Sequence, residues 1–124
     1  MKICVSSTGD NMGSILDQRF GRTAFFIIVD SETMDFKVID NEAAKTSGGA
    51  GIMSSQKVVE EGAEAVITGN VGPNAMKVLK AANIKIIKGL SVSVKENIEK
   101  YKKDLLSYID NPVEQHFGIN GEKK

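Results

Sequence analysis

The chain contains few of the residues from which metal and redox sites are usually built. Among its 124 residues there is one cysteine, Cys4, and one histidine, His116. A single cysteine excludes an internal disulfide and any CxxC motif, and a single histidine excludes a His-rich metal site within one chain. Acidic and basic residues balance at 16 each, so no net charge draws the protein toward nucleic acid or an anionic membrane.

Long apolar runs are also missing from the sequence. No stretch approaches the roughly 18 apolar residues of a membrane-spanning helix, and residues 1–5 lack the apolar core of a secretory signal. We therefore expect a soluble, cytoplasmic protein without a membrane partner. The length fits one domain with a sizeable core, which we place at residues 1–109, followed by a polar, mobile tail at residues 110–124.

The distribution of apolar residues predicts five strands and three helices. Short β-branched runs predict strands at residues 2–5, 25–30, 36–40, 65–68 and 84–87. The first helix follows a patternless loop at 41–50 and ends near Gly62, the second spans 73–82, and the third starts at Val94 behind a Ser93–Glu96 capping box. One face of each helix carries a regular set of positions: Ile52, Gln56, Val59 and Ala63; Met76, Leu79 and Ala82, expected to face inward; and Val94, Ile98, Tyr101 and Leu105.

The order of these elements predicts the fold. The close spacing of strands 2 and 3 indicates a hairpin, and two βα units follow it. Right-handed crossovers make strands 1, 4 and 5 parallel and leave strand 2 antiparallel beside strand 1. We therefore predict an α/β, RNase H-like fold: a five-stranded mixed sheet in the order 3-2-1-4-5 with helices on its faces.

The same order predicts where a ligand would bind. The chain runs outward from strand 1 and returns to its other side for strand 4, and ligands of open α/β sheets bind beyond strand ends at such a switch point. The loops at residues 6–13, 41–51, 69–74 and 89–93 all lie at that end. We predict that they form one site, with ten candidate binding residues: Ser7, Asp10, Arg22, Gly48, Gly49, Gly51, Gly69, Asn70, Gly72 and Asn74.

The glycine-rich loops suit an anion held by backbone amides. Gly69 and Gly72 permit close approach or positive φ, and Pro73 fits the first position of a helix, whose N-terminus attracts negative charge. The glycine run at 48–51 is not a P-loop, because it lacks the Gly-Lys-Ser/Thr ending and does not directly follow a strand. It is either a flexible loop that closes onto a helix or a second amide cradle.

Several candidate residues have an ordinary interpretation beside the functional one. Arg22 either pairs with Asp17 or Asp30 at the surface or points at an anionic ligand. Asp10 either forms a turn or offers an oxygen ligand to a hard cation. Cys4 is a core residue or, as a weak candidate, a metal ligand; His116 is a solvated tail residue or a second weak candidate.

No arrangement of residues indicates an enzyme. A two-metal nuclease needs clustered carboxylates, and neither strand 1 nor strand 4 contains one. A single histidine in the tail cannot complete a Ser–His–Asp or Cys–His set. We therefore predict a non-enzymatic protein.

Four motifs resemble one known family in order and spacing. These are FGRTAFF at 20–26, GGAG at 48–51, EGAEAVITGNVG at 61–72 and ANIKI at 82–86. Together, over roughly residues 1–101, they are similar to the dinitrogenase iron-molybdenum cofactor biosynthesis family, which includes NifX-type proteins, the C-terminal domain of NifB and nitrogenase accessory factor. Several relatives carry Cys or His in the loop before the first helix, whereas residues 41–47 here contain neither.

The resemblance implies an RNase H-like domain that binds or carries an anionic metal–sulfur cluster, either iron–sulfur or molybdenum-containing, or its precursor. Because the loop at 41–47 lacks ligands, the cluster would be held mainly without covalent bonds, by glycine-loop amides and Arg22. The alternative is a regulatory or interaction module that binds a partner protein or a small anionic metabolite without metal. The sequence leaves the oligomeric state open.

Overall fold

A computed structural model describes residues 1–112 of the chain. Its strands are β1 (Lys2–Ser7), β2 (Phe25–Asp30), β3 (Phe36–Asp40), β4 (Ala65–Thr68) and β5 (Lys85–Lys88). Its helices are α1 (Ala50–Glu60), α2 (Pro73–Ala81) and α3 (Val94–Lys102), and a 3-10 turn spans Glu42–Lys45. The loop at 41–50, predicted to be patternless, therefore contains one short helical turn.

The sheet has the predicted order and directions. Its strands lie in the order β3-β2-β1-β4-β5. The pairs β1/β2 and β2/β3 are antiparallel, and the pairs β1/β4 and β4/β5 are parallel. The RNase H-like layout is therefore confirmed. Ser107 and Ile109 continue the hydrogen bonding along the outer edge of β5, whereas no strand within residues 1–112 pairs with the outer edge of β3.

The sheet separates two apolar cores. One contains Cys4, Phe26 and Val66 under α1 and α2, and the other contains Val5, Ile27 and Ile67 under α3. Consecutive strand residues alternate between the two cores because side chains of a strand alternate between faces. This arrangement places the N-termini of α1 and α2 on the same face, at the end of the sheet where β3 and β4 finish.

The predicted apolar faces are confirmed on α2, where Met76 and Leu79 are buried, and on α3, where Val94 and Ile98 are buried, but α1 differs. On α1 the buried residues are Ala50, Ser54, Ser55 and Val58. Ile52 and Val59 are instead 37% and 39% exposed, so the face that they share with Gln56 points to solvent, and Ala63 lies beyond the helix end. Ala82 is also exposed, beyond the end of α2, and Leu105 is 62% exposed beyond the end of α3.

The two serines explain the rotation of α1. Ser54 Oγ donates to the carbonyl of Gly21 at 3.0 Å, and Ser55 Oγ donates to the carbonyl of Gly51 at 2.8 Å. Because these hydroxyls are satisfied, they are buried without the desolvation penalty of an unpaired polar group. One bond to a distant loop, from Ser54, and one to the preceding turn of the same helix, from Ser55, therefore let α1 depart from its apolar pattern.

None of the helices within residues 1–112 has the length and apolar character of a membrane span. Residues 113–124, which include His116, lie outside the described part of the chain. The predictions of a mobile tail and of a weak metal-binding role for His116 are accordingly left as predictions.

Candidate functional site

The N-termini of α1 and α2 face each other across an open cleft of about 430 Å³. Its walls come from three segments: residues 20–22, residues 49–52 at the start of α1, and residues 72–75 at the start of α2. Five of the ten predicted site residues line it: Arg22, Gly49, Gly51, Gly72 and Asn74. The cleft is therefore where the loop at 41–51 meets the loop at 69–74.

Neither α1 nor α2 has a side chain that caps its N-terminus. Gly49 is the N-cap of α1 with φ 74°, and Gly72 is the N-cap of α2 with φ −75° and ψ 170°. Both lack a side-chain cap and an acidic residue in the first turn. By contrast, α3 is capped by the Ser93 hydroxyl, which accepts from the backbone of Glu96, and carries that acidic residue in its first turn.

The uncapped starts leave several backbone donors without partners. In an α-helix the first N–H groups have no intrahelical acceptor. No described residue accepts from the amides of Ala50, Gly51 or Ile52, or from those of Asn74 and Ala75. The first intrahelical bonds run from Met53 to Gly49 and from Met76 to Gly72. Two sets of free donors and two positive dipole ends therefore converge on one cleft.

Close packing of small residues brings the helix starts together. A Cβ added to Gly21 would lie 3.1 Å from both the N and the Cα of Gly51. A Cβ added to Gly51 would lie 3.4 Å from the Cβ of Ala75. At Gly72 an added Cβ would meet nothing within 4 Å. Gly21 and Gly51 thus serve packing, whereas Gly72 borders open space.

A buried hydrogen-bond network supports the cleft from below. The side-chain amide of Asn41 donates to the carbonyl of Thr23 at 2.9 Å and to Ser54 Oγ at 3.2 Å. Ser54 Oγ in turn donates to the carbonyl of Gly21. Asn41 and Ser54 therefore join the 21–23 loop, the end of β3 and α1 in one unit. Sequence reasoning missed both residues, because only their three-dimensional neighbours distinguish them from ordinary loop and helix residues.

Arg22 is held at the edge of the cleft. Its Nη1 donates to the carbonyl of Ala44 at 3.0 Å and to that of Thr46 at 2.6 Å. It forms neither of the predicted surface pairs. Asp17 instead pairs with Arg19 at 3.2 Å. The carboxylate of Asp30 accepts from the backbone amides of Glu32 and Thr33, which lower its pKa.

The crevice at the switch point itself is filled by protein. Residues 16–20 run between the ends of β1 and β4, where Asn70 N–H donates to the Gln18 carbonyl at 2.7 Å and Phe20 N–H donates to the Asn70 carbonyl at 3.2 Å. Ser6 Oγ also donates to Thr68 Oγ1 at 2.7 Å beneath this segment. Open space therefore lies beside the switch point, on the α1–α2 face, rather than directly beyond β1 and β4 as predicted.

The other five predicted site residues do not line the cleft. Gly69 and Asn70 pack against residues 18–20, and the Ser7 hydroxyl donates to the Gly9 carbonyl within its own turn at 2.7 Å. Gly48 is exposed next to the cleft. Asp10 is exposed in a loop whose neighbours, Met12 and Ser14, bond to the start of α3 on the opposite sheet face.

The described part of the chain contains no cluster of metal-ligating side chains. No group of three or more His, Cys, Asp or Glu residues within residues 1–112 is arranged to hold a metal ion. Cys4 is fully buried in the core. Burial raises the pKa of its thiol, and the negative charge of Glu61 raises it further. The thiolate that would bind a metal is therefore strongly disfavoured, so Cys4 behaves as a core residue.

The chain is similar to several known proteins. The orange protein from Desulfovibrio gigas, solved in its apo form, aligns with a TM-score of 0.87 and 33% identity over 90% of this chain and 95% of that one. A candidate NifB protein from Thermotoga aligns with a TM-score of 0.80 and 30% identity over 92% of this chain and 97% of that one. An uncharacterized protein from Methanocaldococcus jannaschii is 33% identical over 89 residues, which cover 69% of this chain and 75% of that protein.

A family profile gives the same assignment as these individual relatives. The profile described as dinitrogenase iron-molybdenum cofactor matches residues 1–104. That range includes every motif on which the predicted resemblance was based, as well as both helix starts of the cleft. The resemblance is therefore confirmed, and the chain belongs to the dinitrogenase iron-molybdenum cofactor family.

Proposed function

We propose that this protein binds and carries an anionic metal–sulfur cluster, or a precursor of one, in the cleft between α1 and α2. The observation that carries the proposal is the convergence of two uncapped helix starts with Arg22 at one open cleft. Each helix dipole contributes about 0.3–1 kcal/mol to the binding of an anion. The free amides add directed hydrogen bonds, which a metal sulfide accepts through its sulfur atoms.

The composition of the cleft favours a large, weakly hydrated anion. Apart from Arg22, the side chains of residues 1–112 that line it are neutral, and Ile52 adds an apolar wall. A volume of about 430 Å³ exceeds what a simple phosphate needs. A metal anion coordinated by several sulfides has both the charge that attracts helix N-termini and the soft surface that tolerates apolar contact.

Binding in this cleft would be non-covalent. No cysteine, histidine or carboxylate among residues 1–112 lines it, so the cargo would keep its own sulfur ligands. The same residues offer no general acid, base or nucleophile. The proposal is therefore a non-enzymatic carrier that would act in the cytoplasm. Membership of the dinitrogenase iron-molybdenum cofactor family and similarity to the orange protein, which was solved in its apo form, support this proposal.

The test is anaerobic reconstitution of the purified protein. Tetrathiomolybdate is added alone, with Cu(I), or with Fe(II) and sulfide, and unbound metal is removed by gel filtration. Bound molybdenum, copper and iron are then measured beside the visible absorption spectrum. We expect metal in stoichiometric amount, with charge-transfer bands that differ from those of the free thiometallate.

Two variants locate the binding. Gly72→Val places an isopropyl group in the cleft at a backbone conformation that any residue adopts, and Arg22→Ala removes the cationic side chain. Both should reduce bound metal, Gly72→Val by roughly tenfold or more, as expected from loss of a fitted pocket. Lys103→Ala, a surface change just after α3, and Ala82→Val, an added side chain outside the cleft, serve as controls. If all four variants bind the same amount of metal, the metal does not bind in the cleft.

The absence of metal ligands among the described residues of the cleft also supports the alternative function. In that case the cleft holds a small anionic metabolite or a partner's acidic group and no metal. A colourless protein that takes up no metal under any of these conditions would favour this alternative. Isothermal titration with sulfate and with phosphate would then show whether the helix starts bind simple anions.

A further inference from the structure

The outer face of α1 has an unusual distribution of side chains. Its two serines, Ser54 and Ser55, are fully buried, whereas Ile52, Met53 and Val59 are 37%, 44% and 39% exposed. Surface helices normally place apolar side chains toward the core and polar ones toward water. Single exposed apolar residues are ordinary; of these three, Met53 lines a groove on this face, Ile52 lines the cleft, and Val59 lines neither.

A groove runs along this face on the side away from the cleft. It has a volume of about 320 Å³ and lies between α1 and the segment from the end of β3 to the 3-10 turn. Its floor is apolar: Ile39 and Ala43 are buried, and Met53 is half exposed at its wall. Ile52, the neighbour of Met53, lines the cleft instead, so the groove and the cleft share the first turn of α1.

The charged side chains that line the groove are mostly acidic. Three carboxylates line it, Asp40, Glu42 and Glu60, and one ammonium, Lys57. The Lys57 ammonium lies 3.5 Å from Glu61, which is outside the lining and also pairs with Lys37 at 3.0 Å, so Lys57 is only partly neutralised and the lining keeps three carboxylates against one ammonium. Lys45, also outside the lining, approaches Glu42 only to 4.0 Å, with both side chains more than 70% exposed. The rim is therefore acidic over an apolar floor.

We propose that this groove docks a basic, amphipathic segment of a partner protein. Apolar side chains of the segment would pack on Met53, Ile39 and Ala43, and its lysines or arginines would face Asp40, Glu42 and Glu60. An anionic membrane or a nucleic acid is disfavoured, since the rim carries the same charge as those partners. The proposal does not depend on what the cleft binds.

Fluorescence anisotropy with synthetic peptides tests the docking. The probe is a labelled amphipathic helix with leucines on one face and lysines on the other, and its matched control has glutamate at each lysine position. We expect the basic peptide to bind at least roughly tenfold more tightly than the acidic one at low salt. Equal binding of the two peptides would overturn the proposal.

Variants separate the groove from general electrostatic attraction. The triple variant Asp40→Asn, Glu42→Gln and Glu60→Gln should weaken binding of the basic peptide roughly tenfold. A control triple with the same change in net charge, Glu32→Gln, Glu99→Gln and Asp104→Asn, alters exposed residues elsewhere and should have little effect. Equal losses in the two triples would overturn the proposal, because attraction would then be general rather than local.

The apolar part of the surface is tested in the same way. Met53→Lys should weaken binding, whereas Leu105→Lys, at a still more exposed leucine, should not. Gly72→Val should leave peptide binding unchanged even where it abolishes metal uptake, so failure of one proposal is distinguishable from failure of the other. Light scattering without peptide tests whether a second copy of the chain occupies the groove instead. Self-association of the native protein that Met53→Lys abolishes would overturn the proposal in favour of that second copy.

Discussion

Two neighbouring regions at the same end of the sheet have opposite characters. The crevice between β1 and β4, where α/β folds usually bind ligands, is filled by residues 16–20. The space between the starts of α1 and α2 is open. The loop at 69–74 borders both regions, through Gly69 on one side and Gly72 on the other. Two glycines three residues apart therefore have unrelated roles, one in packing and one beside a cleft.

The sharpest test of this difference is to add one methyl group on each side. A Cβ at Gly69 would lie 2.7 Å from both the Cα and the carbonyl oxygen of Gln18, and backbone cannot move aside cheaply. We expect Gly69→Ala to lower the free energy of unfolding by roughly 3 kcal/mol, at the upper end of overpacking costs. Gly72→Ala should change it by less than about 0.5 kcal/mol.

Urea denaturation of the two variants measures both values. Because both variants replace glycine by alanine, differences in helix or strand propensity are small beside the expected difference in the free energy of unfolding. Equal stability of the two variants would mean that residues 16–20 do not pack tightly against β4. The crevice would then be available to a ligand after all.

The second test concerns the buried hydrogen bonds of Asn41 beneath the open cleft. Asn41→Ala removes donors to the carbonyl of Thr23 and to Ser54 Oγ in a buried site. Since a buried polar group that loses its partner costs about 1–3 kcal/mol, we expect a loss of roughly 2 kcal/mol. Thermal unfolding measures it. The exposed Asn74→Ala, at the cleft wall, is the control and should leave stability nearly unchanged.

The sequence allowed the fold to be predicted more completely than the site. The sheet order follows from local signals: a hairpin at residues 25–40 and two right-handed βα units restrict the topology strongly. The start of α3 was also predictable, since Ser93 and Glu96 carry their capping function in their own side chains. Both inferences need only neighbours in sequence.

The filled crevice and the rotation of α1 depend on contacts between distant segments. Ile15 and Leu16 form a short apolar pair that is compatible with a turn or a strand, and nothing local shows that the chain then crosses β4. Ser54 and Ser55 are helix-surface residues by type, yet both are buried: the Ser54 hydroxyl bonds to the distant Gly21 carbonyl, whereas the Ser55 hydroxyl bonds to the Gly51 carbonyl one turn earlier in the same helix. Gly69 and Gly72 look alike in sequence because glycine carries no side chain that could distinguish their surroundings.

A third, smaller effect is expected at the start of α1. Gly49 has φ 74°, a left-handed conformation that costs other residues about 1 kcal/mol or more. Gly49→Ala should therefore destabilise the protein by roughly 1 kcal/mol. Gly48→Ala is the matched control, since its Cβ would meet nothing within 4 Å and its backbone is not left-handed. If both variants are equally stable, the start of α1 is not held in the left-handed turn.

The smallest change in global stability is expected for Arg22→Ala. The exposed guanidinium donates to the carbonyls of Ala44 and Thr46, so its loss should lower the free energy of unfolding by less than about 1 kcal/mol. The effect should instead be local. Amide hydrogen exchange of residues 43–47 should accelerate, while exchange in β1 and β4 stays unchanged, because local opening depends on the contacts of that segment alone.

The same measurement distinguishes the two uses of this side chain. If an anion in the cleft draws the guanidinium away from the carbonyls, tetrathiomolybdate should accelerate exchange at residues 43–47 in the native protein and have no such effect in Arg22→Ala. If Arg22 keeps its bonds, the thiometallate should protect the amides of residues 50–52 and leave the 43–47 loop unchanged. The first result would mean that Arg22 contacts the ligand. The second would mean that Arg22 stabilises the 43–47 loop at the edge of the cleft, while backbone amides bind the ligand.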